Sequence, residues 1–318
     1  MTETTLPTDV GYEVYDPFFA TMLDLDRPPE AIATGFIWTE GPVWLNDRLY
    51  FNDIPTKRMF RWTEQGGTEI AIADNNYANG NTLDLNGHMI SCEHGGRCVL
   101  RRFDPDDPNG SEIIADTYEG GRLNSPNDVV VTSDGCIWFT DPPYGINSDI
   151  EGYLSEPEQD GCYVFRLAPN GNLTAVVTDF DKPNGLAFSP DESQIYIADS
   201  GAIRGASFEG IDYNRPHHIR VFDVKDGILS NGRTFTEIFP GVPDGFRVDH
   251  EGYIWSSALD GIHCIAQDGQ LIGKILLPQQ TSNLCFGGTD GTTMFITSSD
   301  KVYRVFSSRK DAAHKFLK

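Results

Sequence analysis

The chain has 318 residues, with 47 Asp and Glu against 24 Lys and Arg, a formal net charge of −23. A surface of that sign repels phosphate backbones and anionic bilayers, so nucleic acid and membrane are not expected partners. Hydrophobic residues at 39 % and charged residues at 22 % suit a globular protein of one large or two small domains, and the 32 Gly and 19 Pro point to many turns between short strands.

Residues 1–30 read as an N-terminal extension in which Asp16–Asp24 forms a short helix or a lid segment. The first ten residues have neither a basic stretch nor an apolar run, so a cytoplasmic protein is expected. The six cysteines (Cys92, Cys98, Cys136, Cys162, Cys264 and Cys285) contain no Cys-x-x-Cys. Several sit in apolar runs and read as buried thiols. Cys92 and Cys98 flank a turn and are the pair close enough to bond, although free thiols are the expectation.

One pattern then recurs along the chain: a short aromatic and β-branched run, often closing on Asp or Ser. The copies are Arg48–Asp53, His88–Cys92, Cys136–Asp141, Gln194–Asp199, Tyr253–Ser257 and Thr293–Ser298. Their centres, Tyr50, Ile90, Trp138, Tyr196, Trp255 and Phe295, are spaced by 40, 48, 58, 59 and 40 residues. Composition and length predict buried strands, and the shortest spacings match one propeller blade. Hairpin signals precede most copies, as at Asn86-Gly87 and Asp290-Gly291. Another strand follows each, from Arg58–Trp62 to Val302–Phe306, and most units have a fourth, such as Thr174–Thr178. The prediction is an all-β, six-bladed β-propeller over residues 31–306, mostly with four antiparallel strands per blade. The last unit is one strand short, and Ala31–Thr34 is predicted to complete it and close the ring. Residues 307–318 form a basic tail.

Innermost propeller strands start at one common mouth. The predicted starts carry Glu40, Asn79 or Asn81, Asn127, Asn184, Asp244 and Asn283. Pro-Asn-Gly and Pro-Asp-Gly are ordinary turn sequences when met alone. Six acid or amide side chains at equivalent positions are better read as a site. Glu40 and Asp244 supply charge and Asn127 and Asn184 supply neutral oxygen, a set suited to a hard divalent ion such as Ca²⁺, Mg²⁺ or Mn²⁺. Four protein ligands leave room for water or substrate.

These residues carry a resemblance. Thr39–Trp44, Asn124–Val129, Trp138–Gly145, Pro183–Leu186 and Pro243–Gly245 resemble the gluconolactonase / senescence-marker protein / luciferin-regenerating family. Ser91–Arg97 is similar to its bacterial gluconolactonase branch. The resemblance implies a six-bladed propeller that opens a sugar lactone to the aldonic acid. It implies metal ligands at Glu40, Asn184 and Asp244, with Asn127 binding metal or substrate. One divalent ion is expected, calcium first, with Mg, Mn, Zn or Fe as alternatives. The animal branch's sugar-binding arginine, two residues before the central Asn, is replaced here by Ser125.

The expected chemistry is metal-assisted lactone hydrolysis, with Asp244, Asp199 or Asp128 taking the proton of water. Asp141 is a weaker candidate for that role. Asn81, His94, Tyr144 and Asn127 are the candidate substrate contacts. The loops Tyr144–Gly161 and Gly201–Pro216, with Tyr153, Phe208 and Tyr213, are expected to cover the mouth. His217-His218 reads as a surface feature. No Gly-x-Ser-x-Gly or Gly-x-Gly-x-x-Gly is present, so serine-hydrolase and dinucleotide readings lack support. A metal-dependent phosphotriester or fluorophosphate hydrolase is the alternative on the same scaffold, and a non-catalytic calcium-binding or interaction propeller is the second. The expected partner is a small sugar lactone, and the expected state is a monomer or homodimer.

Overall fold

The computed structural model describes residues 6–204 and 210–315. Six antiparallel sheets follow one another around a central channel, so the predicted six-bladed propeller is the fold. Blade 1 comprises Thr39–Leu45, Arg48–Asp53, Arg58–Thr63 and Gly67–Ile72. Blades 2 to 5 start with the inner strands Ala78–Leu83, Val129–Val131, Pro183–Phe188 and Phe246–Val248, and each continues outward. Blade 6 takes Thr281–Gly287, Thr293–Ser298 and Lys301–Phe306 from the C-terminal end of the chain. Its outermost strand is Glu30–Thr34, paired with Lys301–Phe306. The predicted closure is therefore present and begins one residue earlier than the sequence suggested. Closure of this kind ties the two ends of the chain into one sheet and leaves no gap in the ring.

The repeat has a common register. Tyr50, Ile90, Trp138, Tyr196, Trp255 and Phe295 all lie on second strands, opposite Val43, Thr82, Val130, Ala187, Arg247 and Cys285 of the inner strands. Aromatic and β-branched side chains on both faces of each sheet then fill the wedges between blades. Six buried clusters result, one for each pair of neighbouring blades. The Asp that closes the motif has a structural task. Asp53 accepts the backbone N–H groups of Ile37 and Trp38, and Asp199 accepts those of Asp181 and Lys182. Asp141 does the same for Asn124. Each carboxylate thus pins the segment that leads into its own inner strand.

Both termini are more involved than extension and tail suggest. Gly11–Val14 adds a fifth strand to the outer edge of blade 5. Asp16–Asp24 contains the short 3-10 helix Phe19–Thr21, whose Phe19 packs with Met22 against Trp255 between blades 5 and 6. That segment is a side plug away from the mouth, not a lid. Arg309 is buried and ion-paired to Asp249 at 2.8 Å. All six cysteines are free. Among the described residues no helix is long and apolar enough to cross a membrane.

Candidate metal and substrate site

The inner strands converge on the mouth because glycine lets them. Glycine follows Glu40, Asn79, Asn184 and Asp244 in turn. A Cβ at Gly185 would stand 2.3 Å from the Asp244 carbonyl oxygen, and one at Gly41 (φ +55°) would stand 1.9 Å from that of Asn79. Neighbouring blades are instead joined there by hydrogen bonds, Gly80 N–H to Asn127 O at 2.8 Å and Gly185 N–H to Asp244 O at 3.0 Å. The ladder shifts register at the same place in blades 1, 2, 4 and 6. Bulges of this kind re-aim a side chain out of the pleat. Pro183-Asn184-Gly185 is therefore an axial bulge rather than a surface turn, and Pro243-Asp244-Gly245 leads directly into the inner strand of blade 5.

A narrow cavity opens at this end. Glu40, Asn79, Asn127, Asn184 and Asp244 all line it, so the structure brings the four predicted metal ligands together. Trp38, Ile54, Ile203 and Val242 form its apolar walls, and Tyr144, Glu151, Ser200 and Gln280 complete the polar surface. Glu40 is 3 % exposed, whereas Asp244 keeps part of its surface open to the mouth.

The electrostatics are lopsided. Glu40 accepts the Gly41 N–H at 2.7 Å and the Asn283 side-chain amide at 3.2 Å. Burial nevertheless pushes its carboxyl up to about 8, and the nearby Asp128 charge adds to the effect. Burial pushes Asp244 up as well, with Glu40, Asp128 and Glu151 all repelling its ionised form. Among the described residues no Lys or Arg lines the cavity. Arg247, 3.9 Å from Asp128, offsets part of the repulsion on Glu40. Two buried carboxyls that repel each other, ringed by neutral amide oxygens, fit a hard divalent cation, which would turn the repulsion into attraction. Among the described residues no three His, Cys, Asp or Glu side chains gather as a metal cluster, so the amides of Asn127 and Asn184 are integral to the set.

Asp199, Asp128 and Asn81 fall outside the cavity wall. Asp199 spends both carboxylate oxygens on the backbone of residues 181, 182 and 201. Asp128 lies deeper in the channel, with Oδ1 held by the Val129 N–H at 2.9 Å. Neither faces the cavity, which leaves Asp244 as the predicted proton acceptor that does. Asn81 donates to the Gly41 carbonyl and accepts from Ser91, whereas Asn79 reaches the cavity in its place.

His94 is fully buried behind Asn79, with Nε2 3.2 Å from the Asn79 amide and Nδ1 3.0 Å from the Glu151 carbonyl. The amide N–H₂ can only donate and the carbonyl can only accept. The ring is therefore neutral and protonated on Nδ1, in keeping with the lowering of its pKa to about 4 by burial. It holds two groups of the site and faces the cavity with neither nitrogen.

Glu151 was not legible in the sequence. It stands in the Tyr144–Gly161 loop, whose inserted length was the sole signal. The same loop carries Tyr153, whose hydroxyl accepts from Lys57 at 3.2 Å. In the second loop, Tyr213 accepts the Gly241 N–H at 2.9 Å, and Phe208 lies outside the described residues. The ring nitrogen Nδ1 of His217 contacts the Arg215 carbonyl, and His218 begins the third strand of blade 4.

Residues 38–300 match the family model described as the SMP-30/Gluconolactonase/LRE-like region. A gluconolactonase of Zymomonas mobilis is 33 % identical over 317 residues, covering 92 % of this chain and 84 % of its own. The solved structure of a gluconolactonase from Xanthomonas campestris is 32 % identical, with a TM-score of 0.84 over 95 % of this chain and 97 % of that one. A pentonolactonase of Haloferax volcanii is 27 % identical over 272 residues, covering 82 % and 81 %.

Proposed function

The chain belongs to the SMP-30/gluconolactonase/LRE-like family and is an enzyme of the lactonase class, and from that premise we propose that it opens a sugar lactone to its aldonic acid at the mouth of the channel, with a divalent cation held by Glu40, Asn127, Asn184 and Asp244. The observation that carries the cation is the pair of buried, mutually repelling carboxyls with no Lys or Arg beside them in the cavity. A cation bound there supplies Lewis-acid polarisation of the lactone carbonyl and a counter-charge for the tetrahedral oxyanion.

The chain's own residues do the rest. Asp244, the less deeply buried of the two carboxylates, takes a proton from the attacking water as the water oxygen bonds to the carbonyl carbon. The ring C–O bond then breaks, and the departing ring oxygen receives that proton from Asp244 to leave a hydroxyl. Glu40 is held still by Gly41 and Asn283 and acts as a fixed charge. Trp38, Ile54, Ile203 and Val242 narrow the mouth and strengthen the electrostatics inside it.

The test is proton release from glucono-1,5-lactone and a pentonolactone, with spontaneous opening subtracted. The assay is run after chelation and after return of Ca²⁺, Mg²⁺, Mn²⁺, Zn²⁺ or Fe²⁺ singly. Loss on chelation and rescue by one ion is the expected result. Full activity in chelator would overturn the metal assignment, and inactivity on every lactone with every ion would overturn the reaction.

A further inference from the structure

Tyr144 presents a polar group that the free protein leaves unsatisfied. It is 4 % exposed and lines the mouth cavity beside Glu151 and Asp244, yet its hydroxyl has no hydrogen-bond partner. Ser200 approaches the phenol and gives its own proton to the Pro243 carbonyl at 2.5 Å, so its oxygen can serve the phenol only as an acceptor, in a contact that falls short of hydrogen-bond geometry. The ring is wedged among Ala202, Ile203 and Val242, and the Lys182 ammonium stands 5.7 Å from its centroid.

The backbone beneath gives the ring little freedom to move. A Cβ at Gly145 would meet His94 Cβ at 2.4 Å and Ser125 Cβ at 2.8 Å. The Gly145 N–H donates to Ser125 Oγ at 2.9 Å, and its carbonyl accepts the Tyr153 N–H at 2.9 Å. A buried hydroxyl without a partner is costly, and in a native protein it calls for a reason. Burial and the charges of Asp244 and Glu151 hold the phenol well above its ordinary pKa, so it stays a donor at neutral pH.

We propose that Tyr144 is a specificity-determining residue, whose hydroxyl donates a hydrogen bond to a ring hydroxyl of a polyhydroxylated lactone. The proposal rests on the lactonase reading of the same cavity. The ring packs on Ala202, Ile203 and Val242, so a bare methylene edge of a substrate would meet apolar side chains but strand the donor. A hydroxyl-bearing carbon satisfies both. Sites built to pair with a substrate hydroxyl reject the analogue that lacks it more strongly than apolar pockets reject an added group.

The test uses the intact protein and Tyr144→Phe. Thermal melting without ligand comes first. An equal or higher midpoint in the variant is expected, because the stranded hydroxyl is gone, whereas a fall of more than about 5 °C would assign the hydroxyl a structural bond and overturn the proposal. The second readout is the ratio of kcat/KM for glucono-1,5-lactone to that for δ-valerolactone, which has no hydroxyls. Tyr144→Phe is expected to lower that ratio about tenfold. An unchanged ratio would mean that the phenol acts on the group common to both lactones, and would overturn the assignment. If the wild type opens no lactone at all, the reaction fails but the recognition is still read by D-gluconate. Stabilisation of the wild type and not of Tyr144→Phe supports the hydrogen bond, and equal stabilisation of both overturns it.

Discussion

The two ends of the central channel are built from the same inner strands and treat charge in opposite ways. At the mouth, where those strands start, Glu40 and Asp244 face each other with amides between them and no Lys or Arg in the lining. At the far end the carboxylates have cations. Arg247 stands 3.9 Å from both Asp128 and Asp311, and Arg309 is buried between Asp249 at 2.8 Å and Glu251 at 2.6 Å. Asp311, Ala312 and Ala313 also line the cavity at that end, beside Val131, Phe188 and Val248. Paired charge there ties the C-terminal segment to blade 5. At the mouth burial and mutual repulsion disfavour the ionised carboxyls instead.

The sharpest way to break this contrast is to neutralise the mouth. Glu40→Gln and Asp244→Asn are expected to lower kcat by about 10³-fold or more, while melting in chelator at pH 8 occurs at a higher temperature than for the wild type. The pH sign follows from the raised Glu40 carboxyl. A folded value of about 8 against 4.5 unfolded means that the folded state holds this proton more tightly. Its contribution to stability is complete below pH 4.5 and is lost as pH rises through 8. The metal-free wild type should therefore weaken over that window, and Glu40→Gln should weaken less. Parallel profiles would show that the carboxyl is already compensated.

The far end should fail in the converse way. Arg309→Met strands Asp249, which is fully buried and also accepts the Trp255 indole N–H at 3.0 Å. A loss of about 3–5 kcal/mol in unfolding free energy is expected. Turnover per folded molecule should stay within about twofold. A large fall in kcat at constant stability would show that the two ends are coupled.

The same contrast explains what the sequence revealed. Blade-forming runs were legible because each centre, from Tyr50 to Phe295, repeats one register and one burial pattern. The gathering of Glu40, Asn127, Asn184 and Asp244 at one cavity was legible because six inner strands start at one mouth, so that equivalent positions in sequence become neighbours in space. Asn79 and Asn81 lie two residues apart, and a bulge between Ala78 and Asn81 decides which of them faces the cavity. Periodicity carries no record of a bulge. Asp199 is in phase with the repeat but serves the backbone, because the closing carboxylate is a folding device in several blades. Glu151 belongs to an insertion with no counterpart in the other blades, and only the folded loop brings it to the site. Asp16–Asp24 could be read as a short helix or a lid; it holds the short helix Phe19–Thr21, and nothing local says which wedge Phe19 fills.

An intermediate effect is expected from the histidine behind the mouth. His94→Asn can keep a donor toward the Glu151 carbonyl but loses the acceptor for Asn79. A fall in kcat/KM of about 10–100-fold follows if those groups need both tethers. The ring also has a pH signature. Its folded value of about 4 lies below the unfolded 6.5, so its contribution to stability is present above pH 6.5 and is lost as pH falls through 4. His94→Asn should flatten that acid limb. A variant with full activity and an unchanged acid limb would place His94 outside the site's support.

The smallest effect should come from Asp311, and its smallness is informative. Arg247 links Asp311 to Asp128, and Asp128 reaches Asn283 at 3.5 Å and through it Glu40. A continuous chain of polar groups therefore runs from the C-terminal segment to the mouth. Continuity alone does not transmit free energy, because each contact at 3.9 Å is long for an ion pair and Asp311 is a quarter exposed. Solvent screens such a charge, so Asp311→Asn should cost less than about 1 kcal/mol in stability. It should change the dissociation constant for a divalent cation by less than about twofold, measured by calorimetry on the chelator-treated protein. A tenfold change would mean that Arg247 divides its charge between the two ends. The C-terminal segment would then tune the ion at the mouth by competing for the one arginine that stands between them.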